Sequence, residues 1–374
     1  MRKCPVCDTE NANLKCRVCG FDGSCDYEQL PTLSRLSRKT DSLSRKRADY
    51  QDELKKQVSP DKSGSLSNTA RDSVTFSNGD RYQGELLNGN PHGQGKYVYA
   101  DGQVYEGSFA NGKSHGWGIL TWPNGDRYLG DFLDGERTGQ GILIWGENTQ
   151  NSGHRYQGDF VKGERSGQGL YIWPNGDRYM GDYRNGKRTG QGIYVWPNGD
   201  RYQGEFRNGE RTGQGIYIWP NGNRYQGDFL NGKQHGQGTL RWPNGDLYQG
   251  DFLEDKRTGQ GTYIWSSGDR YHGDFQSGEC SGQGFYIWPN GNRYQGDFRK
   301  GMRTGQGIFI WPNGDRYQGD FLEDQRTGQG IYTWPNGDRY QGEFLNGAKH
   351  GRGTYTHANG TVQTGIWENN SFKG

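Results

Sequence analysis

Tyrosines at 82, 105, 128, 156, 179, 202, 225, 248, 271, 294, 317 and 340 recur at intervals of 23 residues, apart from a step of 28 between Tyr128 and Tyr156. Close copies of one phrase surround them. Residues 215–229 read GIYIWPNGNRYQGDF and residues 307–321 read GIFIWPNGDRYQGDF. A fixed period of this length is the mark of a repeat architecture, in which one short unit cannot bury its apolar face alone and must stack on its neighbours. An ordinary domain wrapped around one large core is therefore not expected over residues 73–374.

Within a unit, Pro-Asn-Gly-Asp lies between two β-prone runs, a hairpin signal. Asn-Gly can supply the two positive-φ residues of a type I′ turn. A two-residue loop would set Trp219 opposite Arg224, Ile218 opposite Tyr225, Tyr217 opposite Gln226 and Ile216 opposite Gly227. Paired residues share a face. This register predicts a spine of Ile216, Ile218, Tyr225, Gly227 and Phe229. It predicts a displayed face of Tyr217, Trp219, Arg224, Gln226 and Asp228. Trp holds its place in ten units, Arg precedes the marker Tyr in ten of twelve, and a carboxylate follows three residues later in eleven of twelve. Trp beside Arg permits cation–π stacking of roughly 0.5–1 kcal/mol. Two readings of these rows stand: structural ties between rungs, or an aromatic groove that receives a peptide or headgroup. On the second, the surface residues are Trp173, Arg178, Trp196, Arg201, Trp219, Arg224, Trp288, Arg293, Trp311 and Arg316.

The fold class expected is all-β: an elongated, solenoid-like single sheet of about twelve consecutive hairpins. Three features qualify the array. Residues 146–153 insert five residues into one turn, read as a tolerated hairpin extension or a local partner contact. His92, His115, His235 and His350 stand where other units have Thr or Ser in a turn, which favours a hydrogen-bonding role there. Gln363 replaces the thirteenth Tyr, so residues 360–374 read as a frayed cap.

Composition agrees. The chain has 374 residues, only 29% hydrophobic, yet 65 Gly, 12 Trp and 24 Tyr. Disordered chains are poor in aromatics, so many small β units are the better account. Residues 1–70 carry 13 Lys/Arg against 10 Asp/Glu, leaving 32 against 33 in the remainder. The array lacks the basic block of a nucleic-acid binder, and no nucleic acid is expected as partner. There is no signal-like apolar segment and no apolar run of membrane-spanning length, so a cytoplasmic location is expected, with membrane association a possibility.

The first 28 residues carry Cys4-Pro-Val-Cys7 and Cys16-Arg-Val-Cys19. Two CxxC knuckles can complete a tetrahedral four-thiolate site for a structural Zn²⁺. A thioredoxin-like redox pair would need βαβ surroundings that are missing here. The segment resembles a short zinc ribbon. Residues 29–72 read as a polar, basic linker. Leu33, Leu36, Thr40, Leu43, Arg47, Tyr50 and Leu54 keep a broken a/d spacing, which fits a partly helical tether or weak self-association.

Tyr-Gln-Gly-Asp-Phe-x-x-Gly-x-x-x-Gly-x-Gly followed by Trp-Pro-Asn-Gly-Asp resembles the MORN repeat (membrane occupation and recognition nexus). The resemblance spans about residues 73–374. It departs at the insertion, at Leu86 and Tyr183 where Phe is usual, and at the frayed unit. It implies a hairpin sheet acting as a scaffold for proteins and, in some members, a link to membranes or phosphoinositides. In plant lipid kinases such arrays accompany a separate catalytic domain.

The Gly-Gln-Gly phrases lack the helix that a phosphate loop needs, and no unit has its own nucleophile with a base. The function expected is therefore a non-enzymatic scaffold for protein partners. The alternatives are a peripheral adaptor on anionic phospholipid or phosphoinositide, and a regulatory partner of a separate enzyme such as a lipid kinase.

Overall fold

The computed structural model describes residues 72–374 and two short strands, Arg2–Lys3 and Glu10–Asn11, which pair antiparallel. Cys4, Cys7, Cys16 and Cys19, and the helical tether expected within residues 29–72, lie outside the described residues. The chain divides into two compact units, Met1–Glu210 and Arg211–Gly374. Each unit holds an open antiparallel sheet in which every strand pairs with the next in sequence, and no helix occurs among the described residues. The all-β hairpin array is thus observed.

Each repeat contributes a seven-residue strand such as Arg224–Leu230 and a nine-residue strand such as Lys233–Arg241. Two turns join them, and in this repeat both contain Asn-Gly. Asn231 (φ 50°) and Gly232 (φ 80°) lie between the paired residues Leu230 and Lys233. That is the two-residue type I′ turn. At the Trp-Pro-Asn-Gly turn the amide of Trp219 donates to the carbonyl of Asn223 (3.0 Å), and that of Gly222 to Trp219 (2.9 Å). Three residues, Pro220, Asn221 and Gly222, are looped out, and of these only Gly222 (φ 88°) is left-handed. This is a type I turn closed by a glycine bulge. The type I′ turn expected here is ruled out by proline. In a two-residue loop Pro220 would face Asn223 and would need the N–H that it lacks.

The extra loop residue slips the register by one. Ile218 pairs with Arg224, Tyr217 with Tyr225, Ile216 with Gln226 and Gly215 with Gly227. Because the side-chain period of a strand is two, a one-residue slip moves a whole row to the other face. The expected faces are therefore corrected. Tyr217, Tyr225, Gly227 and Phe229 share one side, while Ile216, Ile218, Arg224, Gln226 and Asp228 share the other.

The core lies on the tyrosine side. The marker tyrosines are fully buried and the phenylalanines four residues on nearly so. They alternate edge to face: Tyr225–Phe229 at 5.2 Å, Tyr225–Phe252 at 4.9 Å, Tyr248–Phe252 at 5.2 Å. Such pairs add about 0.5–1.5 kcal/mol beyond burial. Each tyrosine lies flat over the glycine pair of its own hairpin. A Cβ on Gly238 would stand 2.4 Å from the Tyr225 ring, and one on Gly227 would stand 2.5 Å from the Gly238 Cα. The Tyr225 hydroxyl donates to the carbonyl of Asp228 (3.0 Å). Among the described residues no second layer covers this side, and the sheet uses its own rings as cover; the Tyr-x-Gly and Gly-x-Gly spacings follow from that.

The ends also follow this plan. The insertion is a longer hairpin loop, with the Trp145 amide on the His154 carbonyl (3.1 Å), and the strands beyond it resume at Ile144–Arg155. In the last unit Trp367, 5% exposed, takes the phenylalanine place against Tyr340 at 5.3 Å. Phe372 then packs on Trp367 at 5.2 Å.

Candidate interaction surface

The two faces offer different chemistry. On the polar face Asp228 sits opposite a bulge in the partner strand, where Gly236 adopts φ 58°. Its Oδ2 accepts the Gln237 amide (3.0 Å), and its Oδ1 accepts the amide group of Gln214. Asp251, Asp274, Asp297 and Asp320 are held in the same way. The carboxylate row thereby clamps bulges and rungs. Two of the histidines in the bulge lend backbone: the Tyr82 hydroxyl donates to the His92 carbonyl at 3.1 Å and the Tyr225 hydroxyl to the His235 carbonyl at 3.5 Å. The arginines before the marker tyrosines lie along this face. Arg201, Arg224 and Arg316 donate to Gln203, Gln226 and Gln318 at 3.2, 3.0 and 2.7 Å. Arg178 is half-buried and Arg293 exposed.

The tryptophans stand on the ring side, half-buried. Trp173 lies 4.4 Å from Tyr171 and 5.3 Å from Tyr194; Trp196 lies 4.4 Å from Tyr194. Trp219 meets Tyr217 at 4.6 Å, Trp288 meets Tyr286 at 4.3 Å, and Trp311 meets Phe309 at 4.4 Å. The structure does not bring Trp173, Trp196, Trp219, Trp288 or Trp311 together with Arg178, Arg201, Arg224, Arg293 or Arg316 as one face, because the register slip separates the rows. Cation–π contact does occur, with a different set of cations. Arg188 stands over Trp173, Tyr179, Tyr194 and Phe206 at 5.4, 5.5, 5.2 and 5.8 Å. Arg303 and Arg326 stand over Trp288 and Trp311, each at 5.4 Å.

These arginines open the Arg-Thr-Gly-Gln-Gly phrase, which reads in sequence as turn chemistry alone. Each reaches past its own rings to cap the next return turn: Arg188 Nη2 donates to the Gly209 carbonyl (2.7 Å), and Arg165 Nη2 to Gly186 (2.9 Å). Burial lowers the pKa of Arg137 and Arg326 below the usual guanidinium value. Their recurrence fifteen residues after Trp122, Trp173, Trp196, Trp242, Trp288 and Trp311 was the available signal. Among the described residues no cluster of three or more His, Cys, Asp or Glu is placed to hold a metal ion.

A sequence model of the MORN repeat matches twelve segments: 82–104, 105–127, 128–150, 156–178, 179–201, 202–224, 225–247, 248–270, 271–293, 294–316, 317–339 and 340–362. The chain belongs to the MORN-repeat family. No curated protein sequence matches it. Among solved structures it is similar to the SAS-4 (dCPAP) TCP domain of Drosophila melanogaster, in complex with a proline-rich motif of Ana2 (dSTIL), at 15% identity over 41% of this chain and 84% of that one, with a TM-score of 0.28. It is also similar to the TCP10 domain of Danio rerio CPAP, in complex with a STIL peptide, at 12% identity, 73% and 98% coverage and a TM-score of 0.21. Virginiamycin B lyase from Staphylococcus aureus gives 13% identity, 75% and 85% coverage and a TM-score of 0.13. TM-scores this low carry no argument about function. Membership of the repeat family points to a repeat scaffold for protein or membrane interaction.

Proposed function

We propose that this MORN-repeat array is a non-enzymatic scaffold that docks protein partners. The observation that carries the reading is the row of half-buried tryptophans along the ring side. Each offers a partly exposed aromatic surface fixed by neighbouring rings, and aromatic anchors of this kind dominate protein interfaces. Repetition lets several weak contacts add as avidity. The carboxylates of the opposite face are occupied as bulge clamps, so that face presents fewer groups for recognition. The near-neutral charge of the array favours protein over an anionic membrane surface. Cys4, Cys7, Cys16 and Cys19 are proposed to hold zinc structurally, which metal analysis of the purified chain tests.

The test is capture of partners from native cell extract by residues 71–374 and by the same segment carrying Trp219→Ala and Trp311→Ala. Retention of specific proteins by the first and their loss from the second is expected. Co-sedimentation with anionic vesicles at low salt, with no protein partner captured, would replace this reading by the membrane adaptor.

A further inference from the structure

Because the repeats are near-copies, each serves as a control for the others. In the second unit the residue that opens the Arg-Thr-Gly-Gln-Gly phrase places its cation inside a box of four rings. Arg257 stands over Trp242, Tyr248, Tyr263 and Phe275 at 5.6, 5.5, 5.1 and 5.9 Å. Arg303 does the same at 5.4, 5.7, 5.2 and 5.6 Å in the repeat two further along the chain. Lys349 offers its ammonium to Trp334, Tyr340, Tyr355 and Trp367 at 5.5, 5.5, 4.9 and 4.3 Å.

Between Arg257 and Arg303 the same position is Cys280. Its four rings, Trp265, Tyr271, Tyr286 and Phe298, are all present, and among the described residues no cation stands over them. The box has not collapsed. Trp265–Tyr286 is 5.4 Å and Tyr271–Phe298 is 5.0 Å, against 5.3 Å for Trp288–Phe309 and 5.0 Å for Tyr294–Phe321 in the arginine-filled box beside it. The space along the missing side chain is open too. In filled boxes the guanidinium stands 3.5–3.6 Å from where a Cβ on the return-turn glycine would be, at Gly278 and Gly232. At Gly301, the glycine that follows Cys280, nothing lies within 4 Å. Cys280, Trp265 and Tyr286 are each half-buried, so the box reaches solvent. Three other positions lack the cation: Pro91 has four rings, Phe76, Tyr82, Tyr97 and Phe109, whereas the Ser114 set has Leu120 where a ring stands elsewhere and the Gln234 set has Leu240. Among these four positions Cys280 alone combines four rings with an arginine-filled box on each side.

We propose that the Cys280 box is a receptor for a guanidinium, an arginine side chain presented by a protein partner. The chain itself states which ligand fits, since Arg257 and Arg303 fill the boxes on either side. Repulsion between neighbouring cations does not forbid a third, because Arg303, Arg326 and Lys349 already follow one another in adjacent repeats. The backbone acceptor is also defined. Arg326 Nη2 donates to the Gly347 carbonyl at 2.5 Å, and the corresponding carbonyl here belongs to Gly301. A guanidinium suits this site better than a free ammonium, since it is less strongly hydrated and stacks flat on rings. The assignment rests on the protein-docking reading and gives it one chemically defined contact.

Cys280 is itself the reporter. In the full chain, iodoacetamide labelling of the Cys280 peptide is followed by mass spectrometry with increasing N-acetyl-arginine amide, and with the uncharged citrulline amide as control. The arginine amide is expected to slow labelling by at least about threefold, as a cation–π site of this kind allows, and the citrulline amide to leave the rate unchanged. Equal slowing by both, or by neither, overturns the proposal. Trp265→Leu keeps the thiol and breaks the box, and should abolish the protection; protection that survives it overturns the proposal. Cys280→Arg supplies the guanidinium in cis and should raise Tm by about 3 °C; a lowered Tm shows that the box does not accept the group. Because the probe is a small molecule, failure of the box leaves partner capture by the tryptophan row standing, and failure of partner capture leaves the box intact.

Discussion

Arg316 and Arg326 lie ten residues apart in one repeat, on opposite faces of the same sheet. Arg316 runs along the polar face and donates to Gln318 at 2.7 Å. Arg326 lies on four rings, Trp311, Tyr317, Tyr332 and Phe344, and donates to the Gly347 carbonyl. Identical side chains thus do different work because of the face they occupy. One decorates the sheet. The other ties a repeat to the next and covers its rings. An exposed polar pair contributes roughly 0–1 kcal/mol, whereas a desolvated cation–π contact can reach about 2 kcal/mol.

The strongest challenge to this contrast is steric. Gly330→Ala would put a Cβ 2.5 Å from the Tyr317 ring. The ring would have to leave the hairpin, and a loss of more than about 3 kcal/mol is expected in urea unfolding. Gln318→Ala on the polar face should stay within about 0.5 kcal/mol. A small loss at Gly330 would mean that the tyrosine cover is dispensable.

Next comes the arginine pair itself. Arg326→Ala should cost about 2 kcal/mol and Arg316→Ala no more than about 0.5 kcal/mol. Equal costs, measured by the same denaturant midpoints, would erase the distinction between the faces.

Alkali probes the ring face without mutation. Burial pushes the hydroxyls of Tyr263, Tyr340 and Tyr355 up to about 12, while tyrosine in an unfolded chain ionises near 10. The folded state thus holds these protons more tightly. The stability they contribute is complete below about pH 10 and is lost as pH rises towards about 12. Urea midpoints should fall across that range together with the growth of phenolate absorbance. A midpoint independent of alkali would show the rings to be open to water.

The smallest effect belongs to the return turns, which join the two strands within a repeat. Lys300 holds φ 50°, a conformation that Asn tolerates better. Lys300→Asn should raise stability by about 0.5 kcal/mol, read as a higher melting temperature.

Much of the architecture was legible in the chain. The period and the hairpin unit follow from the spacing of Tyr, Gly and Asn-Gly. The faces did not. Where a repeat has two Asn-Gly turns, as around Tyr225, they compete for the type I′ conformation, and the proline before one of them, Pro220, assigns it to the other. The difference is a single residue, but in a strand it exchanges what is buried for what is displayed. The arginine boxes were hidden for a related reason: their rings come from positions fifteen residues before, nine before, six after and eighteen after the cation, brought together only when adjacent hairpins pair.

The sequence by itself determined that this chain is a stack of like hairpins, because only stacking can bury so short a unit. Tertiary structure alone decided that the tyrosines lie flat over glycine pairs, that the aspartates clamp bulges, and that the Arg-Thr-Gly arginines fill aromatic boxes while the Cys280 box keeps its four rings without a cation. Pro91, Ser114 and Gln234 interrupt the arginine row as Cys280 does. Those outcomes depend on contacts between strands and between repeats, and sequence order does not state how neighbouring strands are registered.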